Sequence, residues 1–390
     1  GSYGTLASLT AATIECVRLP TRGAHAPRIA LTFEWHAEVA DGIAALSAMA
    51  AVRAHPDGQC IDFLDGVALP RPVSTDGAKS NSGGVLVCAA SLVDDSEAVR
   101  RGGETLSEDE VWSVGASGDA YYHEKLLGAR RRLEAEGGST EATLRVTMGL
   151  EDYLFRHDRG AFQIGSAALW LASWRDWLTP TKLLLAAASA RWPLNFRALC
   201  EPLFATDTMY RRLHLAPPEA IASRLVLQDL FVPVGRASSA IAFCQAGLTE
   251  PPVTLWLWPV RGADALALLS PNGHVGSSEL LINLGVYSRA GPGGGVEFTR
   301  ALERWGLANS CRKLLYSANY YEPEEVWSTT GATPRSHMYD RAKYDAMREH
   351  TGASDVGLPH VAERVMSVLR RPEQLTPLDA ASIAFAEWLL

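Results

Sequence analysis

No uncharged apolar run in this 390-residue chain approaches the roughly 20 residues that a membrane-spanning helix requires, which excludes a polytopic membrane protein. Basic blocks with interleaved aromatics are missing too. With 36 Lys and Arg against 44 Asp and Glu, the net charge is −8, and nucleic acid is not an expected partner. The six cysteines, Cys16, Cys60, Cys88, Cys200, Cys244 and Cys311, form no CxxC pair. That argues against a zinc ribbon and a small disulfide framework, and reads as reduced thiols in a reducing compartment. GxGxxG, GxSxG, HExxH and the GxxxxGK of a phosphate loop are all absent, and the ten histidines fall at no ligand spacing. Metal, P-loop and serine-hydrolase chemistry are therefore poor expectations. The Gly-rich run 291–295 lacks the Lys of a phosphate loop and reads as a turn before a helix.

What is there is an ordinary globular composition, 47% apolar and 21% charged, long enough for two or three domains and a sizeable core. Gly1, without a preceding Met or targeting stretch, reads as a boundary inside a domain, followed by a strand from Ala12 to Leu19. Next come a strand Arg28 to His36, a helix Glu38 to Arg53, and strands Cys60 to Leu69 and Val85 to Leu92, a β-α-β-β unit. Tyr121 to Glu136 reads as an exposed Arg- and Glu-rich helix, and Thr143 to Phe155 as a strand. Residues 161–215 gather Trp170, Trp174, Trp177 and Trp192 among Leu, Ala and Pro. Arg175, Asp176 and Lys182 keep this stretch from spanning a bilayer, so it is either a buried helical cap or an interfacial helix at head-group level.

From Leu225 a β-α-β-β-α-β pattern follows: strands Leu225 to Val234, Val253 to Val260, Glu279 to Tyr287 and Lys313 to Tyr321, with helices Ala237 to Ala246 and Glu297 to Asn309. Together the two units predict an α+β fold, one large antiparallel sheet with ferredoxin-like units and helices on one face. The tail predicts helices at Met338 to His350, Pro359 to Arg370 and Leu378 to Leu390. The division expected is 1–20 as the end of one domain, 21–323 as a second with the Trp-rich insertion, and 324–390 as a helical segment.

Alternation in Glu279 to Tyr287 places Leu280, Ile282, Leu284 and Val286 on one face and Glu279, Leu281, Asn283, Gly285 and Tyr287 on the other. The second face is either solvated or the roof of a polar cavity. In Val253 to Val260, Trp256 and Trp258 share one face and Leu255 and Leu257 the other, as expected of a strand covered on both sides. Ser317, Asn319 and Tyr321 are expected on one face of the last strand, Tyr316, Ala318 and Tyr320 on the other. Gln228 and Asp229 are adjacent in an apolar strand and need polar partners on opposite faces.

Several segments, in order, carry a distributed resemblance. They are Gly4-Thr5-Leu6, residues 62–67 (DFLDGV), 153–159 (YLFRHDR), 226–233 (VLQDLFVP), 256–259 (WLWP), and 315–321 (LYSANYY) with 324–327 (EEVW). The chain resembles the FAD-dependent delta(24)-sterol reductases of the Diminuto type, within the vanillyl-alcohol-oxidase-like flavoproteins. The resemblance implies FAD as cofactor, NADPH as reductant, a sterol substrate with a peripheral membrane contact, and residence at the endoplasmic reticulum membrane, the chain itself reading as cytoplasmic-facing. In that family an FAD-binding domain precedes the region seen here, and Gly1 to Pro20 resembles its last strand.

By resemblance, the backbone of Gly1, Ser2, Gly4 and Thr5 passes near the flavin, and Gln228 and Asn319 take flavin-adjacent places. The implied reaction reduces a side-chain alkene and needs an acid. Tyr287, Tyr321, or a water held by Asn283 and Glu279 are the candidates from the strand faces. A cofactor-free sterol- or lipid-binding protein is the alternative outside enzymes, and a related oxidase acting on a sugar or polyol is the alternative within them.

Overall fold

The computed structural model describes residues 5–8, 10–14, 16, 27–56, 58, 60–69, 83–93, 110–114, 120–135, 143–158, 222, 225–248, 255–263, 269–273, 275–290, 294–328 and 339–366. The Trp-rich stretch 161–215, with Trp170, Trp174 and Trp177, and the helix expected at 378–390 lie outside them.

The first unit runs β1 (Arg28–His36), α1 (Val39–Val52), β2 (Phe63–Leu69) and β3 (Gly84–Val93). In the sheet β3 lies between β1 and β2, antiparallel to both. The second unit repeats this plan: β6 (Leu225–Pro233), α4 (Val234–Gly247), β7 (Leu255–Arg261) and β8 (Leu280–Arg289), with β8 between β6 and β7. β2 and β7 join the units through three residue pairs, Gly66 to Leu257, Val67 to Trp256 and Ala68 to Leu255. Pro259 lies past that short contact, where β7 pairs with β8 alone, so its missing N–H leaves no gap against β2. β5 (Thr143–Gly149) and β4 (Glu110–Trp112) extend the sheet beyond β1, and β9 (Arg312–Lys313) beyond β6. The result is the expected α+β fold, a nine-stranded, mostly antiparallel sheet built from two related units.

One face is sealed by α1, α4 and α5 (Gly295–Ala308). Ile43 and Leu46, Ala240 and Ile241, and Leu302 pack there onto Val85, Val87, Val226, Leu255, Ile282, Leu284 and Val286. Each fully buried Leu or Ile in this layer contributes about 1.5–3 kcal/mol. A Cβ at Gly42 would meet Val85 Cβ at 2.4 Å, so α1 approaches β3 at a distance only glycine allows.

Helices do not keep to that face. α2 (Tyr122–Ala135) buries Tyr122, Leu126, Ala129 and Leu133 on the other side, against Phe33, Trp112 and Met148. Its Arg- and Glu-rich composition hid an apolar stripe at spacings of three and four. The strand expected to reach Phe155 ends at Gly149, and α3 (Leu150–Leu154) begins with Glu151 and Asp152 in its first turn. Of the strand expected over 12–19, Ala12, Thr13, Ile14 and Cys16 are described, and none is in a strand. The strand expected over 313–321 stops at Lys313, and residues 314–320 turn back around the sheet edge.

The tail forms a third cluster, with α6 (Pro323–Val326), β10 (Trp327–Ser328) paired to β11 (Tyr339–Asp340), α7 (Arg341–His350) and α8 (Val361–Met366). Asp340 caps α7, accepting from Lys343 N at 3.1 Å. No helix among the described residues is long and apolar enough to cross a membrane.

Candidate functional site

In β8 the alternation read from the sequence holds. Ile282, Leu284 and Val286 point into the layer under α1, α4 and α5, which leaves Asn283 and Tyr287 on the other face. There they meet Asp229 of β6, paired in register with Gly285 and 4% exposed. Asn283 Nδ2 donates to Asp229 Oδ1 at 3.1 Å, and Tyr287 OH donates to Asp229 Oδ2 at 3.0 Å. Tyr316, from the 314–320 turn, donates its OH to the same Oδ2 and lies 3.2 Å from the Tyr287 hydroxyl.

The carboxylate is thus ringed by neutral donors. Burial, with Asp229 and Tyr287 beside it, pushes the Tyr316 phenol far above its ordinary range, so it stays protonated. Half of Tyr316 is nonetheless exposed, which gives the cluster an outlet. The amide of Asn283 is oriented by its bond to the carboxylate, so its Oδ1 points away, buried and without a hydrogen-bond partner among the described residues. Gly285 makes room for all this: a Cβ there would stand 2.9 Å from the Tyr287 ring and 3.3 Å from Asp229 Oδ1.

Two expected members are elsewhere. Glu279 is exposed, outside β8, and its carbonyl accepts from Gly262 N. Tyr321 is buried in the third cluster with Trp327 and Tyr344, its ring 5.3 Å from Lys313 Nζ. The reason is that the chain leaves the sheet at Lys313, so alternation no longer assigns faces, and Tyr316 reaches the site instead. Asp229 carried a signal in the sequence, its adjacency to Gln228. In the sequence only strand alternation places Tyr316, with either set of that strand free to point toward Asn283 and Tyr287, and its actual place depends on a turn.

A second polar cluster lies on the same sheet face. Asp65 of β2 accepts from Arg156 Nη2 and from Trp256 Nε1, each at 3.3 Å. The guanidinium lies 3.9 Å from the Tyr153 ring centre, and His157 stands edge-on to Trp256 at 4.0 Å. Burial, with Arg156 nearby, draws the His157 pKa well down, leaving the ring neutral. Segments 62–67, 153–158 and 256–258, far apart in sequence, converge here.

Of the residues expected beside a flavin, Gln228, Asn319 and Thr5 are described. Gln228 lies on the opposite face from Asn283, donating to Ala318 O at 3.2 Å and accepting from Ser317 Oγ at 2.8 Å. Asn319 donates to the carbonyls of Ser317 and Leu315. Thr5 is buried, its carbonyl accepting from Arg348 Nη1 at 2.5 Å. These groups are hydrogen-bonded to their own chain. Gly1, Ser2 and Gly4 lie outside the described residues. No protein-family model matches the sequence, and no curated protein matches it.

Proposed function

We propose that this chain is the substrate-facing part of a reductase of the delta(24)-sterol type, in which Asp229, Tyr287 and Tyr316 manage the proton of alkene reduction. The observation that supports it is the hydrogen-bonded carboxylate with two phenols, one of them half exposed, on the sheet face where three of the resembling segments also meet. Reducing an isolated trisubstituted alkene adds a proton to the less substituted carbon and a hydride to the other. The described residues bear on the proton alone. In the family that the chain resembles, FAD reduced by NADPH provides the hydride.

Both phenols donate inward to Asp229. In the proposed step a proton from solvent reaches the carboxylate and is returned to the Tyr316 oxygen as that hydroxyl, the one with a route to a substrate, gives its own proton to the alkene carbon, so that no phenolate remains. Trp258, half-buried on the same face beside the core residue Trp256, would offer apolar surface to a sterol side chain. Residence at the endoplasmic reticulum membrane, with a peripheral contact, goes with this reading through the resemblance.

The test is kinetic. In the enzyme reconstituted with FAD and NADPH, Tyr287→Phe and Tyr316→Phe are each made and the two half-reactions are followed separately. Alkene reduction is expected to fall about 10²–10⁴-fold in at least one of them while flavin reduction by NADPH is unchanged. Full sterol turnover in both variants overturns the assignment.

A further inference from the structure

The 314–320 turn that delivers Tyr316 has no strand or helix to hold it. It wraps the edge of β6, its Leu314 N donating to Asp229 O at 3.0 Å. Tyr316 then falls on one face of the sheet, and Ser317 and Ala318 on the other, at Gln228.

Behind the turn lies an ion pair sealed from water. Lys313 Nζ is 2.6 Å from Glu303 Oε1, and both side chains are 0% exposed. Their remaining hydrogen bonds go to the backbone of the turn: Lys313 Nζ donates to Ala318 O at 2.8 Å, and Tyr320 N donates to Glu303 Oε1 and Oε2 at 3.0 and 3.2 Å. Arg300 stands 3.8 Å from the Glu303 carboxylate and ties it outward to Glu325. The Tyr321 ring closes the other side of the ammonium.

A buried ion pair is a poor source of stability, since desolvating two charges costs about as much as their attraction returns, and apolar replacements are often neutral or better. Burial also draws the Lys313 pKa down to about 8, against the pull of Glu303. What this pair does offer is geometry. It begins at the residue where the turn starts and holds the backbone at 318 and 320, clasping both ends of the segment with Tyr316 in between.

We infer that Lys313 and Glu303 are positioning residues, a buried clasp that fixes the 314–320 turn so that the Tyr316 hydroxyl reaches Asp229. The catalytic consequence rests on the proposed function; the geometric claim does not.

Two measurements test it. The first uses the Lys313→Met/Glu303→Leu double variant, which leaves neither charge orphaned, with tyrosines labelled at Cζ and Tyr316 assigned through Tyr316→Phe. At pH 7 the Tyr316 signal is expected to move to the position of a free tyrosine, with Tyr287 shifting alongside, in a protein that still unfolds cooperatively. A changed melting temperature with an unmoved Tyr316 signal reduces the pair to core packing and overturns the inference. The second needs no substitution. In the unmodified chain, native-state hydrogen exchange of Leu314 N–H and Tyr320 N–H is expected to follow the interior amides of α5, such as Leu302. Exchange of those two amides through a separate, much easier opening also overturns it.

Turnover separates this from the proposed function. The double variant is expected to lose about 10²-fold in alkene reduction through misplacement of Tyr316. A loosened turn with unchanged turnover leaves the clasp standing and removes the proton assignment.

Discussion

Asp65 and Asp229 sit on the same face of one sheet, one in each repeated unit, and are 5% and 4% exposed. Their company differs. Asp65 faces a guanidinium that is itself laid on Tyr153, so its charge is matched, and desolvation pushes the surrounding Tyr122 phenol and Cys88 thiol far up. Asp229 accepts only from an amide and two phenols among the described residues. A carboxylate neutralised by Arg is a joint. One held by an amide and two phenols is joined to hydroxyls that can themselves pass a proton, and it is on that difference that the proposed function rests.

The sharpest way to break the comparison is Asp65→Leu. It orphans the buried Arg156 guanidinium and is expected to cost about 3–5 kcal/mol in denaturant unfolding. A loss under about 1 kcal/mol denies Asp65 its role as a joint. Next is Gly285→Ala, whose methyl group crowds Tyr287 and Asp229. It is expected to cost about 1–3 kcal/mol and, under the proposed function, to impair alkene reduction more than stability. Asp229→Asn keeps one acceptor oxygen for the phenols and is expected to cost only about 1 kcal/mol, while under the proposed function it removes the proton relay. If Asp229→Asn destabilises as much as Asp65→Leu, the two aspartates are alike and the contrast fails.

A smaller effect sharpens the picture of the first unit, where another carboxylate meets two histidines. Burial raises the Glu34 pKa, but His36 and His55, the latter at 2.6 Å, more than offset this and hold it below the usual carboxylate value. A carboxyl lowered in the folded state stabilises above its unfolded pKa, and that contribution is lost as pH falls through the folded value. Glu34→Gln is therefore expected to give a shallower fall of stability between about pH 4.5 and the acid limit, read from unfolding midpoints at a series of pH values.

The sheet was legible where local pattern and tertiary place agree. Ile282, Leu284 and Val286 alternate with Asn283 and Tyr287 because β8 is paired on both sides throughout, so period two translates directly into faces. The adjacency of Gln228 and Asp229 likewise required polar partners on both faces, and both are there. Residues 315–321 alternate just as well, yet the chain is held in a turn by Glu303, a residue from a preceding helix that no local window contains. Tyr316 was therefore assigned by a strand that does not form, and Tyr321 with it. The end of β5 was missed for a smaller reason: Gly149 followed by Leu150, Glu151 and Asp152 is a helix start that the apolar run beyond it concealed.

The narrow join between β2 and β7 has a kinetic consequence. Asp65 and Trp256, whose side chains meet beside it, are 191 residues apart in the chain. Each unit can form its own three strands and helix from nearer contacts, whereas the join must wait for a very long loop to close in return for three residue pairs. The two units should therefore open as separate cooperative blocks under native conditions, and the amides of Gly66 and Leu257, which face each other across the join, should exchange sooner than those of β3 and β8 that flank them. The face that holds both aspartates is complete only after the slowest contact in the sheet has formed.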